Sequence, residues 1–279
     1  MAHADVTLAT GFWREGTRVR RARLHAPAPE QERLLFEEGE ALLPAERVTL
    51  LLGHCAEIGG EAGADAARSL SAGDRVALLL ELRRLIAGDA LPCVLDCPWP
   101  DCRERLELDL HVRDLLPSAD AHGPTYELEF RGERLVFRLP TGADEERAAR
   151  IAVEHGPDAA VDQLLRACLP DPPPDPAPGA DASSDPRPEL AEALGAAIAD
   201  ADPHAEILLA LRCPVCDRDG EVALDAASYF WRELEVRLAR LDHDVHVLAT
   251  RYGWSEAEIL ALSERRRARY LGLVELEPV

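Results

Sequence analysis

Two short cysteine knuckles constrain this fold more than any other feature of the sequence: "CPWPDC" at 97–102 and "CPVC" at 213–216, separated by most of the chain's second third. In each, a proline follows the first cysteine and an extended, alternating segment follows the second. A structural zinc takes four protein ligands in a closed tetrahedron, so each knuckle supplies half a clamp. Cys97, Cys102, Cys213 and Cys216 are therefore expected to converge on one structural Zn2+. The expected fold class is α+β: a split zinc-ribbon-like core with helices on both sides and an inserted hairpin-plus-helices segment between its halves. Other readings stay open at this point. Cys93, four residues before Cys97, competes as a ligand. The knuckles could have lost their metal, or C-x-x-C could be a redox pair. That last chemistry is best served at a helix N-terminus, whereas both flanks here read as extended. Cys55 and Cys168 fall on apolar helix faces and read as small core residues.

The segments around the knuckles divide the chain. Residues 1–30 show little periodicity and read as a flexible arm. Residues 31–119 hold the N-terminal helices and the first knuckle. Pro44 suits a first helical turn, and "SAGDRVALLLELRRLIAG" reads as a helix capped by Ser71 and stopped at Gly88, with Leu78, Leu79, Leu82, Leu85 and Ile86 on one buried face. Leu106, Leu108 and Leu110 alternate with charges, as in a strand with one wet face. Residues 120–168 read as the insertion: a hairpin turning near Gly132, a helix between Thr141 and Gly156, and a second helix with Val161, Leu164, Leu165 and Cys168 on one face. Residues 169–189, "LPDPPPDPAPGADASSDPRPE", form a Pro-rich linker that cannot continue a helix. Residues 190–279 hold the second knuckle, a long helix over about 226–252 and a C-terminal helix–turn–helix. Trp231, Leu234, Leu238, Leu241, Val245, Leu248 and Tyr252 give the long helix a narrow seam. "WSEAEIL" has a capping box at Ser255 and Glu258, with Trp254 placed to staple onto Ile259.

Charge and composition narrow the function. The formal charge is −21, and the chain has neither Lys nor Asn. An acidic surface repels phosphate backbones and disfavours nucleic acid. Without lysine, neither a Schiff base nor a P-loop lysine is available. No Gly-rich phosphate loop or nucleophile elbow occurs, so the protein is expected not to be an enzyme. His243 and His246 lie one turn apart but off the seam, and read as a polar face. "ERRRAR" at 264–269 reads as a solvated face or a docking patch for an acidic partner. The N-terminus lacks the basic-then-apolar order of a secretory signal, and no apolar run reaches membrane-spanning length. A cytoplasmic location with no membrane partner is expected.

Four stretches together resemble a known family: "LLELRRLIAGDALPCVLDCPWPDC…LELDL", "FRLPTGADEE", "LRCPVCDRDGEVALD…FWREL" and "VHVLATRYGWSEAEILALSERRRARYL". They resemble proteins encoded in contractile phage-tail and extracellular contractile injection system clusters, which are similar to the T-even phage baseplate hub assembly chaperones. The likeness runs from about Leu43 to the C-terminus, and "YGWSEAEILALSERRRARYL" with "CPVC" is its most specific part. The first knuckle departs from the usual C-P-x-C by two extra residues, and the Pro-rich linker is elongated. The resemblance implies a non-enzymatic assembly chaperone or minor component that binds baseplate or hub proteins. Trp231, Tyr252, Trp254, Ile259 and Tyr270 are the expected partner-binding or seam residues. The alternative is a zinc-ribbon adaptor or regulator that contacts nucleic acid through "ERRRAR". A thiol oxidoreductase ranks third.

Overall fold

The computed structural model describes residues 3–14, 16–116, 123–171 and 185–276. It is mixed α+β, with several small antiparallel sheets set around helices. Among the described residues no helix is long and apolar enough to cross a membrane.

The N-terminal stretch is not a loose arm. β1 (His3–Arg14) and β2 (Thr17–His25) pair antiparallel, and β3 (Ala56–Ile58) and β4 (Glu61–Ala62) complete a sheet of order β1-β2-β3-β4. The alternation that would have revealed β1 is broken by a register shift between Thr7 and Phe12. A bulge of this kind turns consecutive residues to the same side, and Leu8 and Ala9 are indeed both buried. Side chains satisfy the backbone groups that the bulge frees. Arg18 donates to the carbonyls of Ala9 and Thr10, and Arg20 to that of Leu8. The Asp74 carboxylate accepts the N–H groups of Thr10 and Gly11 at 3.2 and 2.6 Å. Gly11 has φ +65°, and a Cβ there would lie 2.3 Å from the Val19 carbonyl oxygen.

α1 (Pro29–Gly39) packs on α2 (Pro44–Cys55) and joins the same core, while α2 and the short α3 (Ala64–Arg68) lean on this sheet and on each other. α4 (Ala72–Ala87) runs through the middle. Its first turn is capped by Ser71, whose Oγ accepts the Asp74 N–H at 3.2 Å, and Gly88 ends it at φ +90°. Leu78, Leu79 and Leu82 enter the main core as expected, whereas Leu85 and Ile86 are only half-buried. Leu80, on another side, anchors a second cluster. α4 is thus buried nearly all round, as a central helix must be.

After the first knuckle comes the short α5 (Val112–Leu115). β7 (Tyr126–Phe130) and β8 (Glu133–Phe137) form the expected hairpin; Arg131 and Gly132 both have positive φ, the two-residue turn that matches strand twist. α6 (Gly142–His155) starts where Asp144 accepts both the N–H and the hydroxyl of Thr141. It docks on α2, α3 and α4 through a buried ionic network. The fully buried Arg75 pairs with Glu145 at 2.8 Å and donates to Thr49 and to the carbonyls of Ala45 and Ala67. Beside it, Glu146 accepts from Thr49, Arg68 and Arg150. α7 (Pro157–Cys168) and α8 (Arg187–Ala201) close a third cluster over the hairpin, around Phe137, Leu165, Cys168 and Leu194. Val161 is exposed instead of sharing that face. Most of the Pro-rich segment, 172–184, lies outside the described residues. Its ends do not behave as linker, since Leu169 is buried in the third cluster and Arg187 is already helical.

α9 (Ala226–Tyr252) follows the second knuckle and ends at Gly253, which is left-handed at φ +70°. Its seam is not left open for a partner. Trp231, Leu234, Leu238, Leu241 and Leu248 are buried, and α9 packs on α1, α2 and α4 and on the two C-terminal helices, α10 (Glu256–Leu260) and α11 (Glu264–Leu276).

Candidate metal centre

Each knuckle sits at the mouth of a two-stranded hairpin. β5 (Ala90–Asp96) pairs with β6 (Arg105–His111), and β9 (Leu208–Arg212) pairs with β10 (Asp219–Ala223). Asp96 faces Arg105 and Arg212 faces Asp219, so the cysteines follow the last rung of each ladder. The hairpins are closed alike: the Cys97 N–H donates to the Glu104 carbonyl at 2.7 Å, and the Cys213 N–H to that of Arg218 at 3.1 Å. In both, the residue after the second cysteine is left-handed, Arg103 at φ 52° and Asp217 at φ 57°. Asp217 donates to the Cys213 carbonyl at 2.9 Å, and Arg103 donates to the Trp99 carbonyl at 3.2 Å. The two extra residues of the first knuckle are therefore taken up between Cys97 and the Trp99 turn, and the ends of both knuckles keep one geometry.

The four sulfurs meet. Cys97 Sγ lies 3.9 Å from Cys216 Sγ, and Cys102 Sγ lies 3.7 Å from Cys213 Sγ. All four lie within 4.8 Å of one another, a grouping that could hold a metal ion. A regular tetrahedron of thiolates bound at about 2.3 Å has edges of about 3.8 Å. The sulfurs are much farther apart than the roughly 2 Å of a disulfide, and all seven cysteines are free. Cys97 and Cys213 are buried, and Leu106 and Leu211 give the cluster an apolar floor.

Electrostatics distinguish the thiols. Burial pushes Cys97 up to about 12. Cys102 gains a backbone hydrogen bond at Glu104 that favours its thiolate, but burial and the neighbouring thiols outweigh it and its pKa is raised. For Cys216 burial acts upward, yet the backbone N–H and guanidinium of Arg218 prevail and bring it down to about 6.

A second set of contacts joins the knuckles without using sulfur. The Arg218 guanidinium stacks 4.5 Å from the centre of the Trp99 ring and grips both carboxylate oxygens of Asp101 at 2.7 and 2.8 Å. The Trp99 indole donates to the Asp219 carbonyl at 3.2 Å. Pro98 lies against Gly220, where a Cβ would come within 2.7 Å of its ring. None of these residues was singled out in the sequence. The signal was present: an aromatic and an acid inside one knuckle, an arginine and a glycine just after the other.

The remaining cysteines separate cleanly. Cys93 faces Leu108 within the β5–β6 ladder and packs in the Leu80 and Leu91 cluster, outside the four-sulfur group. Cys55 and Cys168 are buried as expected, and burial raises their thiols to about 12 and about 11. His243 and His246 are exposed and belong to no metal-holding group among the described residues.

The expected partner residues divide. Trp231 is 3% exposed and Ile259 is 0% exposed, so neither offers its side chain to a partner. Trp231 stacks on Phe36 at 5.1 Å, lies under Arg47 at 4.5 Å, and presses on Gly39 so closely that a Cβ there would be 2.2 Å from its ring. A seam tryptophan opposite a glycine is a core contact that spacing alone does not distinguish from an interface anchor. Tyr252, Trp254 and Tyr270 instead form a three-ring corner, with centroids 4.8, 4.9 and 5.8 Å apart, that stays partly open to solvent. In "ERRRAR", Arg265, Arg266 and Arg269 are exposed but Arg267 is buried, donating to the Leu262 carbonyl.

Comparison of the chain with protein-family models, with curated proteins and with solved structures returned no match.

Proposed function

We propose that the protein is a non-enzymatic assembly factor whose core is a split zinc ribbon, stapled by one structural zinc on Cys97, Cys102, Cys213 and Cys216. The observation that carries the zinc is the convergence of four sulfurs, with cross-hairpin edges of 3.7 and 3.9 Å, from hairpins far apart in the sequence. A redox dithiol is best served at a helix N-terminus, whereas these four sulfurs lie at the mouths of β-hairpins. All-sulfur tetrahedral donors suit zinc, and the flanking clamp through Arg218, Trp99 and Asp101 is the outer support such ligands require. The metal ties residues 90–111 to residues 208–223, and with them the insertion to the long helix α9 that follows the second knuckle.

Assembly, and the particle it serves, rest on the resemblance to contractile-tail proteins. In that reading the protein acts in the cytoplasm and holds baseplate or hub subunits while a contractile tail-like particle is built, as chaperone or minor component. The half-exposed corner of Tyr252, Trp254 and Tyr270 supports it, since aromatic residues are enriched where proteins bind one another. The test is affinity purification of the tagged protein from its own host. Recovery of tail or baseplate subunits, reduced by Trp254→Ala but not by a substitution of exposed Val153, is the expected result. Recovery of nucleic acid in their place, lost on raising salt, would favour the adaptor reading through Arg265, Arg266 and Arg269.

A further inference from the structure

α9 turns one face to solvent along most of its length, and that face has its own pattern. Arg232, Val236, Arg240, His243 and Val247 follow one another at helical spacing, within about a quarter of the helix circumference. The chain has 52 acidic residues against 31 basic ones, yet this stripe contains no acid. Val236 is 72% exposed, the state of an apolar side chain without a partner.

Two hollows border the stripe. One, of 660 Å³, lies between α9 and α11 and reaches Leu271 and Val274. The other, of 510 Å³, lies toward β5 and is lined by Ile86, Val94 and Val236. They share Arg237, Arg240 and Glu264, so together they make one groove. From Arg232 to Val247 it is about 22 Å long at the helical rise, the length of a four-turn helix.

The charges of this groove are unevenly satisfied. Arg237 is neutralised by Glu32 at 2.9 Å, and Glu233 by Arg83 at 2.8 Å. Asp244 lies 3.9 Å from the buried Arg267. Neither Arg232 nor Arg240 makes an ion pair among the described residues, and Glu264 is the one acid of the groove in the same position. Two free guanidinium groups flanking an exposed valine are complementary to an apolar residue flanked by carboxylates.

We infer that this groove receives an acidic amphipathic helix of a partner protein. Val236, Val94 and Ile86 take its apolar side, and Arg232 and Arg240 take carboxylates about two turns apart. Helix-in-groove recognition uses this arrangement of apolar anchors with charged flanks. The inference rests on the reading of the protein as one that holds others, but not on which particle it serves.

The test is selection on the immobilised, metal-loaded full chain from a library of helical peptides of varied charge, about 15 residues long to match the groove. The expected outcome is enrichment of acidic amphipathic sequences. Val236→Glu should weaken their binding by about tenfold or more. Arg232→Glu with Arg240→Glu should switch the preference to basic peptides. Both sites are exposed, so unchanged melting of the variants shows that folding is intact. Three outcomes would overturn the inference: no enrichment, enrichment indifferent to these substitutions, or self-association of the chain abolished by Val236→Glu, which would make the occupant a second copy. If any of these occurs while tail subunits still co-purify, the groove is wrong and the assembly reading stands.

Discussion

The Arg218 guanidinium lies 4.5 Å from the centre of the Trp99 ring while holding Asp101 with both carboxylate oxygens, so one side chain of the second knuckle grips two residues of the first. The same guanidinium favours the thiolate of Cys216. Arg218 therefore orients a ligand and fastens the two hairpins at once. Arg218→Ala should leave the four sulfurs in place but weaken their hold on metal, in the range of about ten- to a hundredfold typical of residues that support ligands. Competition with a chromophoric chelator measures this. Unchanged zinc affinity would mean that the clamp is ornamental to the metal.

Trp231 is enclosed by Phe36, Arg47 and Gly39. Trp231→Ala should cost about 3–5 kcal/mol of stability, as for other buried aromatic truncations, and should lower the melting temperature markedly. Trp254→Ala, at the half-exposed corner, should cost much less and show its effect in partner recovery. Denaturant titration of the two variants checks the contrast, and near-wild-type stability of Trp231→Ala would contradict its place in the core.

Asp202 accepts the N–H of Gly73 at 2.9 Å at the start of α4 and is 1% exposed, close to the equally buried Asp74. Burial is the main cause that raises the pKa of both; Asp202 adds to the rise at Asp74, while the Gly73 N–H, the Ser71 hydroxyl and His204 partly offset the rise at Asp202. A carboxyl whose folded pKa is raised contributes stability below its unfolded value of about 4. That contribution is lost as pH rises through the folded value. The wild type should therefore lose stability relative to Asp202→Asn as pH rises from about 4 toward neutrality. Urea midpoints of both proteins across that range give the slope, and a slope of opposite sign would contradict the burial of this acid.

Much of this architecture was legible in the residues. Ser71, Thr141, Gly156, Gly253 and the Ser255 and Glu258 box mark helix ends by local chemistry, and local chemistry survives in any tertiary context. The pairing of the knuckles was legible because tetrahedral coordination demands four donors. The N-terminal sheet was not. Its bulge breaks the period of β1, and its stabilising partners, Arg18, Arg20 and Asp74, read as ordinary charges until the fold brings them to the freed backbone groups. Spacing likewise showed that Trp231 sits on a seam but not what fills the other side, because Phe36 and Gly39 lie on a helix far away in sequence.

The central claim is that four cysteines from two remote hairpins bind one ion. Metal analysis and zinc-edge X-ray absorption on the purified chain test it together. The account predicts one zinc per chain with four sulfur neighbours at about 2.3 Å, lost together with cooperative unfolding in Cys213→Ser with Cys216→Ser. A chain that carries no zinc, binds it through nitrogen or oxygen donors, or keeps its full zinc and melting behaviour in that double variant would contradict it.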